Sequence, residues 1–284
     1  MADLIIRSSG GSVIQHGSFN DRVYLMKIAG GDLPAIIEQS ADLAANNGYG
    51  KIFARVPGSM APLFIAAHYN CEAIIPEFIR GNEDLFYMSR FLSEERRKIS
   101  AKEREMLGEI SHLLKQGEAE SIRKDSIDKV VPVEAGKDEA AAIASLFGEV
   151  FETYPFPIDT PSYIEQCIDD GTRFFVVRDR GSGDLIAVSS AEVDRDSLSA
   201  EMTDFAVSPS HRGKGLSLRL LDAMENVMRR EGIVTLYTIA RLNSIPMNRC
   251  FLRLGYSYAG TAVNNTNIGG RIESMNILYK RVIR

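Results

Sequence analysis

The chain has 284 residues, of which 45% are hydrophobic and 25% are charged, and its formal net charge is -5. This length fits one large domain or two ordinary ones, and the apolar content suffices for a hydrophobic core. The mildly acidic balance argues against a nucleic acid partner, because binding to a phosphate backbone requires concentrated Lys and Arg.

The three cysteines have neither the spacing of metal ligands nor that of a disulfide framework, so we expect no metal site and a reducing compartment. The first residues lack the basic and apolar pattern of a signal peptide. No segment of the sequence reaches the ~18 consecutive apolar residues of a membrane helix. We therefore expect a cytoplasmic protein that has no membrane partner.

The predicted elements of the first third are a helix, a strand, a short helix and two strands. Apolar residues from Leu33 to Ala44 recur with helical spacing, and Gly48 follows them. Residues 93–125 are rich in Glu, Lys and Arg with a weak apolar stripe, which indicates a linker helix or a helical hairpin. The four elements between these two segments lie at 52–56, 60–69, 73–79 and 85–91.

The second half predicts a longer series: two helices, three antiparallel strands, a helix, a strand, a helix and two strands. The central helix is the clearest, because apolar residues from Leu216 to Met228 recur at spacings of three and four, before Gly232. This order indicates an α/β layer structure with a mixed sheet. In chain order, the elements lie at 137–150, 162–168, 174–178, 185–188, 201–207, 216–228, 234–239, 247–254, 256–263 and 274–280.

The first third resembles the end of the second half. A constant offset relates Gly48 to Gly232 and Phe53 to Tyr237, and the elements around these residues follow the same order. We interpret this similarity as an internal repeat of half a domain. A chance match of two helix–strand–helix units is the alternative.

The segment 207–217 joins a predicted strand to the central helix through a turn that contains Gly213 and Gly215. Such a turn exposes backbone N–H groups at the positive end of the helix dipole, and glycine lets the backbone approach a bulky anion. Arg212 and Lys214 add positive charge. The turn suits a pyrophosphate, although it has neither the Walker pattern nor the dinucleotide fingerprint.

This segment resembles the coenzyme A pyrophosphate loop of the GNAT acetyltransferase superfamily, whose pattern is Arg/Gln-x-x-Gly-x-Gly/Ala. Arg212 and Gly215 match the pattern, and Ser217 replaces the final small residue. The order of elements from about residue 130 and the Asn-containing segment 243–248 are also similar to that superfamily. The resemblance implies an α/β (α+β) fold with a mixed, mostly antiparallel sheet flanked by helices. It also implies acetyl-CoA as the acetyl donor, with no metal.

The resemblance divides the chain into three parts. Residues 130–284 form the expected catalytic GNAT N-acetyltransferase domain, and residues 93–129 form the charged helical linker. Residues 1–92 form a GNAT-like half-domain without the cofactor motif. We expect that half-domain to complete the sheet or to form a homodimer contact.

Across the whole chain, the sequence also resembles the β-lysine N-acetyltransferase family. This resemblance implies transfer of an acetyl group to the side-chain (epsilon) amine of β-lysine, which makes a compatible solute for osmoadaptation. Acetylation of another small amine (lysine, a polyamine or an amino sugar) and non-catalytic acyl-CoA sensing stay open. The segments that carry the resemblance are 154–157, 201–206, 237–241, 263–268 and 273–276.

A general base must lie near the acceptor, because an alkylammonium with a pKa near ~10.4 cannot attack a thioester before it loses a proton. Glu201 matches the place where several GNAT enzymes carry a catalytic Glu, and a solvated strand-end carboxylate is its alternative. Asp204 is the second candidate, as a base, as an anchor for a substrate ammonium or in a buried ion pair with an Arg. Strand alternation places Glu201, Thr203 and Phe205 on one face and Met202 and Asp204 on the other.

The same resemblance implies an oxyanion-binding backbone N–H from Phe205 or Val207. Phe251 stands where many relatives carry a Tyr that protonates the leaving thiolate, so Tyr256 and Tyr258 are the substitutes. Both can instead be core aromatics. The acid is dispensable if the thiolate, with a thiol pKa near ~8.5, leaves unassisted.

Polar and aromatic residues in three loops complete the expected site. Tyr154 and Phe156 lie on a Pro-rich loop that either borders the acceptor or only forms a turn. Asn264 and Asn265 either bind the polar end of the substrate or serve a turn. Asn243 and Asn248 either contact the pantetheine arm or cap a helix. The expected cofactor-binding residues are Phe205, Ala206, Val207, Arg212, Gly213, Lys214, Gly215, Leu216, Ser217, Asn243, Asn248 and Phe251.

Overall fold

The computed structural model describes residues 3–116 and 131–282, except for the side chains of 115 and 116. The part before residue 92 contains six strands and two helices of these ranges. They are β1 (Leu4–Arg7), β2 (Val13–Gly17), β3 (Arg22–Lys27), α1 (Ala35–Asn47), β4 (Lys51–Pro57), α2 (Ala61–Ala66), β5 (Asn70–Ile79) and β6 (Glu83–Phe91).

Two helices follow β6, α3 (Glu94–Arg97) and α4 (Ala101–Gln116), and α4 packs against the last helix of the chain. Of the predicted linker, residues 117–129 lie outside the described residues. The second half contributes β7 (Val133–Ala135), α5 (Ala140–Val150), α6 (Pro161–Asp169), β8 (Arg173–Arg178), β9 (Leu185–Asp194), β10 (Ser199–Val207), α7 (Leu216–Arg230), β11 (Thr235–Arg241), α8 (Ile245–Arg253), β12 (Ser257–Ile268) and β13 (Arg271–Arg281).

All thirteen strands of the described residues belong to one sheet, in the order β1-β2-β3-β4-β6-β5-β12-β13-β11-β10-β9-β8-β7. Only the pairs β3–β4 and β10–β11 are parallel. The expected mixed, mostly antiparallel sheet flanked by helices is therefore confirmed. No helix among the described residues is both long and apolar enough to cross a membrane.

The sheet contains two similar halves that meet between β5 and β12, at the pair Ala73 and Gly260. The order β1-β2-β3-β4-β6-β5 in the N-terminal half corresponds to β8-β9-β10-β11-β13-β12 in the C-terminal half. The internal similarity thus extends over β1–β3, which the sequence pattern did not indicate. Because the two halves share one sheet, residues of both can line one site.

Helix α7 follows the predicted pattern closely. Leu216, Leu220, Leu221, Met224 and Met228 are buried on one face, where they cover β9 and β10. The helix starts after a left-handed glycine at 215 and is followed by another at 232. Left-handed backbone is easy only for glycine, so the sequence fixes both ends of this helix.

A buried ion pair ties the halves together. The ammonium of Lys51 on β4 lies 2.8 Å from Oε2 of Glu72 on β5 and donates to the carbonyl of Val263 at 2.7 Å. The other carboxylate oxygen of Glu72 accepts the Val263 N–H at 2.7 Å. Both side chains are almost fully buried, so removing either would leave a buried, uncompensated charge.

Candidate active site

The pairing of β10 with its neighbours breaks off near its middle. The parallel pairing with β11 extends only as far as Glu201. On the other side, the register with β9 shifts between Thr203 and Ala206. The shift marks a β-bulge, at which Asp204 takes a positive φ of 54°. Asp204 and Phe205 have no partner residue in either neighbouring strand.

The bulge changes which side chains share a face. Glu201, Thr203 and Asp204 line the same cavity, whereas Phe205 packs edge-on against Phe251, with 5.6 Å between ring centroids. The expected alternation, which set Asp204 opposite Glu201 and kept Phe205 with it, is wrong. The extra residue of a bulge breaks the period of two on which that expectation depended.

A cavity of about 140 Å³ opens where β10 and β11 separate. It is mainly apolar, and its far end reaches Tyr154 and Asp204. A slot of this kind suits the pantetheine arm of a coenzyme A thioester. Its walls include Phe205, Thr238, Ile239, Ser244, Met247 and Phe251.

The glycine turn follows the C-terminal end of β10 and leads into α7. Gly213 and Gly215 have φ values of 77° and 71°, and the four residues from Arg212 to Gly215 are exposed. Glycine at the N-cap leaves the first N–H groups of α7 without a side-chain acceptor. The turn therefore fits a pyrophosphate, as its sequence predicts. Leu216, in contrast, is buried in the core and anchors the helix.

A second cavity, of about 150 Å³, lies between the two halves and shares Tyr154, Thr203 and Asp204 with the first. Three carboxylates face it: Glu192, Glu201 and Asp204. Glu192 on β9 is the direct cross-strand partner of Glu201 on β10, so the two side chains stand on one face. A cavity with three acidic groups is suited to a cationic ligand.

The three carboxylates share raised pKa values. Water reaches Glu192 through the cavity, yet the surrounding protein and the charges of Glu201 and Asp204 raise its pKa to about 8. Burial raises the pKa of Glu201 to about 6, against the opposing charge of Arg55 and a hydrogen bond from Tyr237. Burial also raises the pKa of Asp204. A bound cation would relieve the repulsion among these groups.

Asp204 is held from two sides. The hydroxyl of Tyr154 donates to its Oδ1 at 2.5 Å, and the hydroxyl of Ser190 donates to its Oδ2 at 2.5 Å. Tyr154 and Phe156 both line the cavity between the halves, as expected for the Pro-rich loop. The expected buried ion pair of Asp204 with an Arg is absent from the described residues, and hydroxyl groups take its place.

The N-terminal half forms the opposite wall of this cavity, with Arg22, Tyr24, Met26, Phe53 and Arg55. Tyr24 on β3 pairs with Phe53 on β4. In the C-terminal half, Glu201 on β10 pairs with Tyr237 on β11 in the same way. Tyr24 thus occupies the position in the N-terminal half that Glu201 occupies in the C-terminal half. This cavity is therefore built by both halves of the sheet.

Comparison with known proteins identifies the family. The model of the acetyltransferase (GNAT) family matches residues 140–256. The β-lysine N(6)-acetyltransferase of Methanococcus maripaludis is 38% identical over 269 residues, which cover 95% of this chain and 96% of that protein. The chain belongs to the GNAT acetyltransferase family. It is an acetyl-CoA-dependent N-acetyltransferase, which confirms the expected enzyme class.

Two further proteins are similar to this chain. The N-acetyltransferase YodP of Bacillus subtilis is 30% identical over 283 residues, 98% of this chain and 98% of that protein. The crystal structure of the ribosomal-protein-S18-alanine N-acetyltransferase of Escherichia coli matches with 15% identity and a TM-score of 0.47. Its match covers 54% of this chain and 96% of that one. The match to YodP covers almost the whole chain and therefore includes the N-terminal half.

In this acetyltransferase, Asn248 has a structural position. Its amide nitrogen donates to the carbonyls of Arg241 and Ser244, both at 2.9 Å, and its oxygen accepts from Asn276 at 2.8 Å. Asn248 therefore braces the start of α8 against β11 and β13, but it does not cap the helix, whose N-cap is Ser244. Asn243 hydrogen-bonds Glu273 and does not line the slot between β10 and β11.

The two candidate tyrosines for the leaving-group acid lie away from both cavities. Tyr256 is buried in the core against Phe251, and the ammonium of Lys280 lies 5.7 Å from its ring centroid. The hydroxyl of Tyr258 lies 2.6 Å from that of Thr261. Their placement agrees with the alternative of core and strand aromatics.

The two asparagines predicted to form a polar cluster between the last two strands, Asn264 and Asn265, have different surroundings. Asn264 donates to the carbonyls of Arg96 and Lys98 at 3.0 and 2.9 Å, so it fixes the chain after β6. Asn265 is buried and lines the cavity between the halves, and its amide oxygen has no hydrogen-bond partner among the described residues. Only Asn265 of this pair is placed to meet the substrate.

Three charged residues of the cavity were not predicted from the sequence: Glu192, Arg22 and Arg55. Glu192 could have been found from the hairpin register, because a loop centred on residues 195–198 sets it opposite Glu201. The two arginines had no comparable signal. They reach the cavity only because the N-terminal half joins the same sheet.

Proposed function

We propose that this acetyltransferase transfers the acetyl group of acetyl-CoA to the side-chain (epsilon) amine of β-lysine and forms N-epsilon-acetyl-β-lysine. One observation carries the proposal: a cavity with three carboxylates meets the slot between β10 and β11 at Asp204. The name of the 38% identical relative supports the same acceptor. We also propose that the product serves as a compatible solute and that the enzyme is cytoplasmic.

The charges of the cavity match those of the acceptor. β-Lysine carries two ammonium groups and one carboxylate at neutral pH. Glu201 and Asp204 supply negative charge for the ammonium groups, and Glu192, which is largely protonated at neutral pH without a ligand, would ionise beside a bound cation. The opposite wall carries two guanidinium groups. A neutral acceptor would leave Glu201 and Asp204 without a cationic partner, which is unfavourable because the surrounding protein limits their access to water.

The turn before α7 would hold the donor. Its N–H groups between Gly213 and Ser217 would bind the pyrophosphate, assisted by the charges of Arg212 and Lys214. The slot lined by Phe205 and Phe251 would hold the pantetheine arm. Acetyl-CoA, when bound there, supplies an acetyl group on an activated thioester.

Glu201 is the proposed general base. With a pKa of about 6 it is ionised at neutral pH, yet basic enough to accept a proton from the acceptor ammonium, directly or through water. Asp204, fixed by Tyr154 and Ser190, would position that ammonium at the junction of the two cavities. The freed amine nitrogen then forms the bond to the acetyl carbon.

Phe205 would contribute its backbone N–H to the carbonyl oxygen, which gains negative charge as the amine adds. Its position in the bulge leaves it without a strand partner, and a preorganised donor of this kind stabilises the transition state. The bond from carbon to sulfur then breaks with its electron pair on sulfur. The thiolate can leave unprotonated, so no acid from the protein is required.

Release of free thiol from acetyl-CoA, measured with a panel of small amines, tests the proposal. β-Lysine should give the highest kcat/KM among β-lysine, lysine, a polyamine and an amino sugar. A higher kcat/KM with another amine would reject β-lysine as the acceptor and retain the enzyme class. Tight binding of acetyl-CoA without thiol release on any amine would favour the acyl-CoA sensor.

A further inference from the structure

Arg55 on β4 stands out among the residues that line the cavity between the halves. Its guanidinium carbon lies 5.2 Å from the ring centroid of Tyr237 and 5.7 Å from that of Phe78. Among the described residues it has no hydrogen bond and no ion pair within 4 Å, and its Nε is buried without a partner. Burial opposes the charge of Arg55, but Tyr237 and Glu201 nearby raise its pKa well above the ordinary value. The guanidinium therefore stays charged, and its unbonded donors are suited to a ligand.

Arg22, the other guanidinium of this wall, is already engaged. It donates to the carbonyl of Asn265 at 2.6 Å, to the hydroxyl of Thr266 at 3.1 Å and to the amide oxygen of Gln15 at 3.2 Å. These bonds join β3 to the end of β12. Arg22 therefore serves the junction of the halves, and Arg55 retains its donors for the cavity.

The position of Arg55 also fits one end of the acceptor. Its charge acts on Glu201 and Glu192, whereas the slot for the thioester joins the cavity at Asp204. Asp204 lies three residues after Glu201 on β10. At about 3.3 Å per residue, their Cα atoms are therefore at most about 10 Å apart. An extended six-carbon diamino acid can span this distance, with its reacting amine at Asp204.

Arg55 also lines a second, larger cavity of about 750 Å³. This outer cavity adjoins the cavity between the halves at Arg55. Only Met26 and Arg55 line both spaces. An acceptor that enters from this side passes Arg55 before it reaches the carboxylates. The thioester slot lies at the opposite end, beyond Asp204.

We propose that Arg55 binds the carboxylate of the acceptor, so that the N-terminal half selects amino acids over polyamines. This inference rests on the proposed function and assigns the carboxylate end of that same site. A planar guanidinium can hold a carboxylate through two parallel hydrogen bonds. A polyamine leaves Arg55 unpaired and brings a second positive charge toward it, and both effects disfavour that acceptor.

Two matched pairs of acceptors test the assignment: β-lysine with 1,4-diaminopentane, and lysine with 1,5-diaminopentane. Within each pair, the molecules differ only by the carboxylate. In Arg55→Gln, kcat/KM for the carboxylate-bearing member should fall roughly 10- to 100-fold, as for a lost hydrogen bond to a charged group. Because the charge of Arg55 also lowers the pKa of Glu201, all values are compared at about pH 8.5, where Glu201 stays ionised. There the value for the diamine should change by less than about 3-fold. Arg55→Lys, which keeps the charge, should recover part of the loss.

Arg7→Gln is the control, because Arg7 is exposed and lines only the outer cavity. It should leave all four values unchanged, and the KM for acetyl-CoA should be unchanged in every variant. An equal loss on both members of a pair, or no loss in Arg55→Gln, would overturn the assignment. If lysine replaces β-lysine as the preferred acceptor with the same dependence on Arg55, the assignment stands and the proposed acceptor fails.

Discussion

The hydroxyl of Tyr154 donates a hydrogen bond of 2.5 Å to Oδ1 of Asp204. This bond connects the Pro-rich loop between α5 and α6 to the bulge of β10. It lies where the cavity for the acceptor meets the slot for the thioester. In the proposed function, the loop and the bulge therefore share one role, which is to position the reacting amine.

Tyr154→Phe should lower kcat/KM for the acceptor by about 10-fold, because Asp204 loses a hydrogen bond to its charged form. The same loss raises the pKa of Asp204 further. Tyr163→Phe is the matched control, since Tyr163 lines the same cavity but its hydroxyl contacts Cys167. Initial rates over a range of acceptor concentrations check the prediction. An equal effect of the two substitutions would contradict the role of the Tyr154–Asp204 bond.

The activity should depend on the protonation of Glu201. For the wild-type enzyme, kcat/KM should rise with pH through about 6, because the base accepts a proton only when ionised. In Glu201→Gln, kcat should fall roughly 10²- to 10³-fold and this acidic limb should disappear. A pH–rate profile from pH 5 to 9 measures both effects. A Glu201→Gln profile that keeps the limb would show that another group is the base.

Glu192→Gln should make the protein more stable at alkaline pH. In the folded protein the pKa of Glu192 is about 8, well above its ordinary value of 4.5, so folding favours the protonated form. The contribution of Glu192 to the free energy of unfolding is fully present below pH 4.5 and is lost as the pH rises through about 8. Because water reaches Glu192, the gain in the variant should be only about 1 kcal/mol, or roughly 2–4 °C in Tm.

Thermal unfolding of wild type and Glu192→Gln at pH 9 and pH 4.5 checks this sign. The variant should unfold at the higher temperature at pH 9, and the difference should vanish at pH 4.5. A variant that unfolds at a lower temperature than wild type at pH 9 would mean that Glu192 is stabilised as a carboxylate. The raised pKa assigned to it would then be incorrect.

The two glycines that flank α7 allow a matched test of the donor site. Gly213 and Gly232 have the same φ of 77°, and a Cβ added to either would meet no atom within 4 Å. Replacement of either by Ala should cost roughly 1 kcal/mol of stability for the left-handed backbone. Only Gly213→Ala should raise the Kd for coenzyme A, by about 10-fold, because it alone lies in the pyrophosphate turn.

Calorimetric titration of coenzyme A into both variants measures this difference. Gly232→Ala controls for the loss of folding free energy, since its turn lies at the other end of the helix. Equal Kd values for the two variants would contradict the assigned pyrophosphate site. The circular dichroism of both proteins should match that of wild type.

Local signals in the sequence were enough to predict the structure of the turn and the helix that we propose for the donor. The glycine turn and α7 depend on short-range chemistry: left-handed glycines at 213 and 215, and a run of apolar residues with helical spacing. The element order of the C-terminal half followed from the same kind of signal. These features do not require knowledge of distant contacts.

The acceptor side could not be predicted in the same way. The bulge adds one residue to β10, so that Asp204 and Phe205 stand opposite a single residue of β9, and nothing in the local pattern of Glu201–Val207 indicates it. Arg55 faces the cavity because β4 and β10 belong to one sheet, an arrangement set by pairing between residues far apart in the chain. Asn248 is ambiguous for another reason, since the same amide can serve a cofactor or a turn.

The central claim is that the enzyme transfers the acetyl group of acetyl-CoA to the epsilon amine of β-lysine. NMR spectroscopy of the product made from β-lysine and acetyl-CoA labelled with ¹³C in the acetyl carbonyl tests it most directly. We predict a single labelled amide whose carbonyl couples to the protons next to the epsilon nitrogen. A label on the β-amino nitrogen, or unreacted β-lysine with intact acetyl-CoA, would contradict the account.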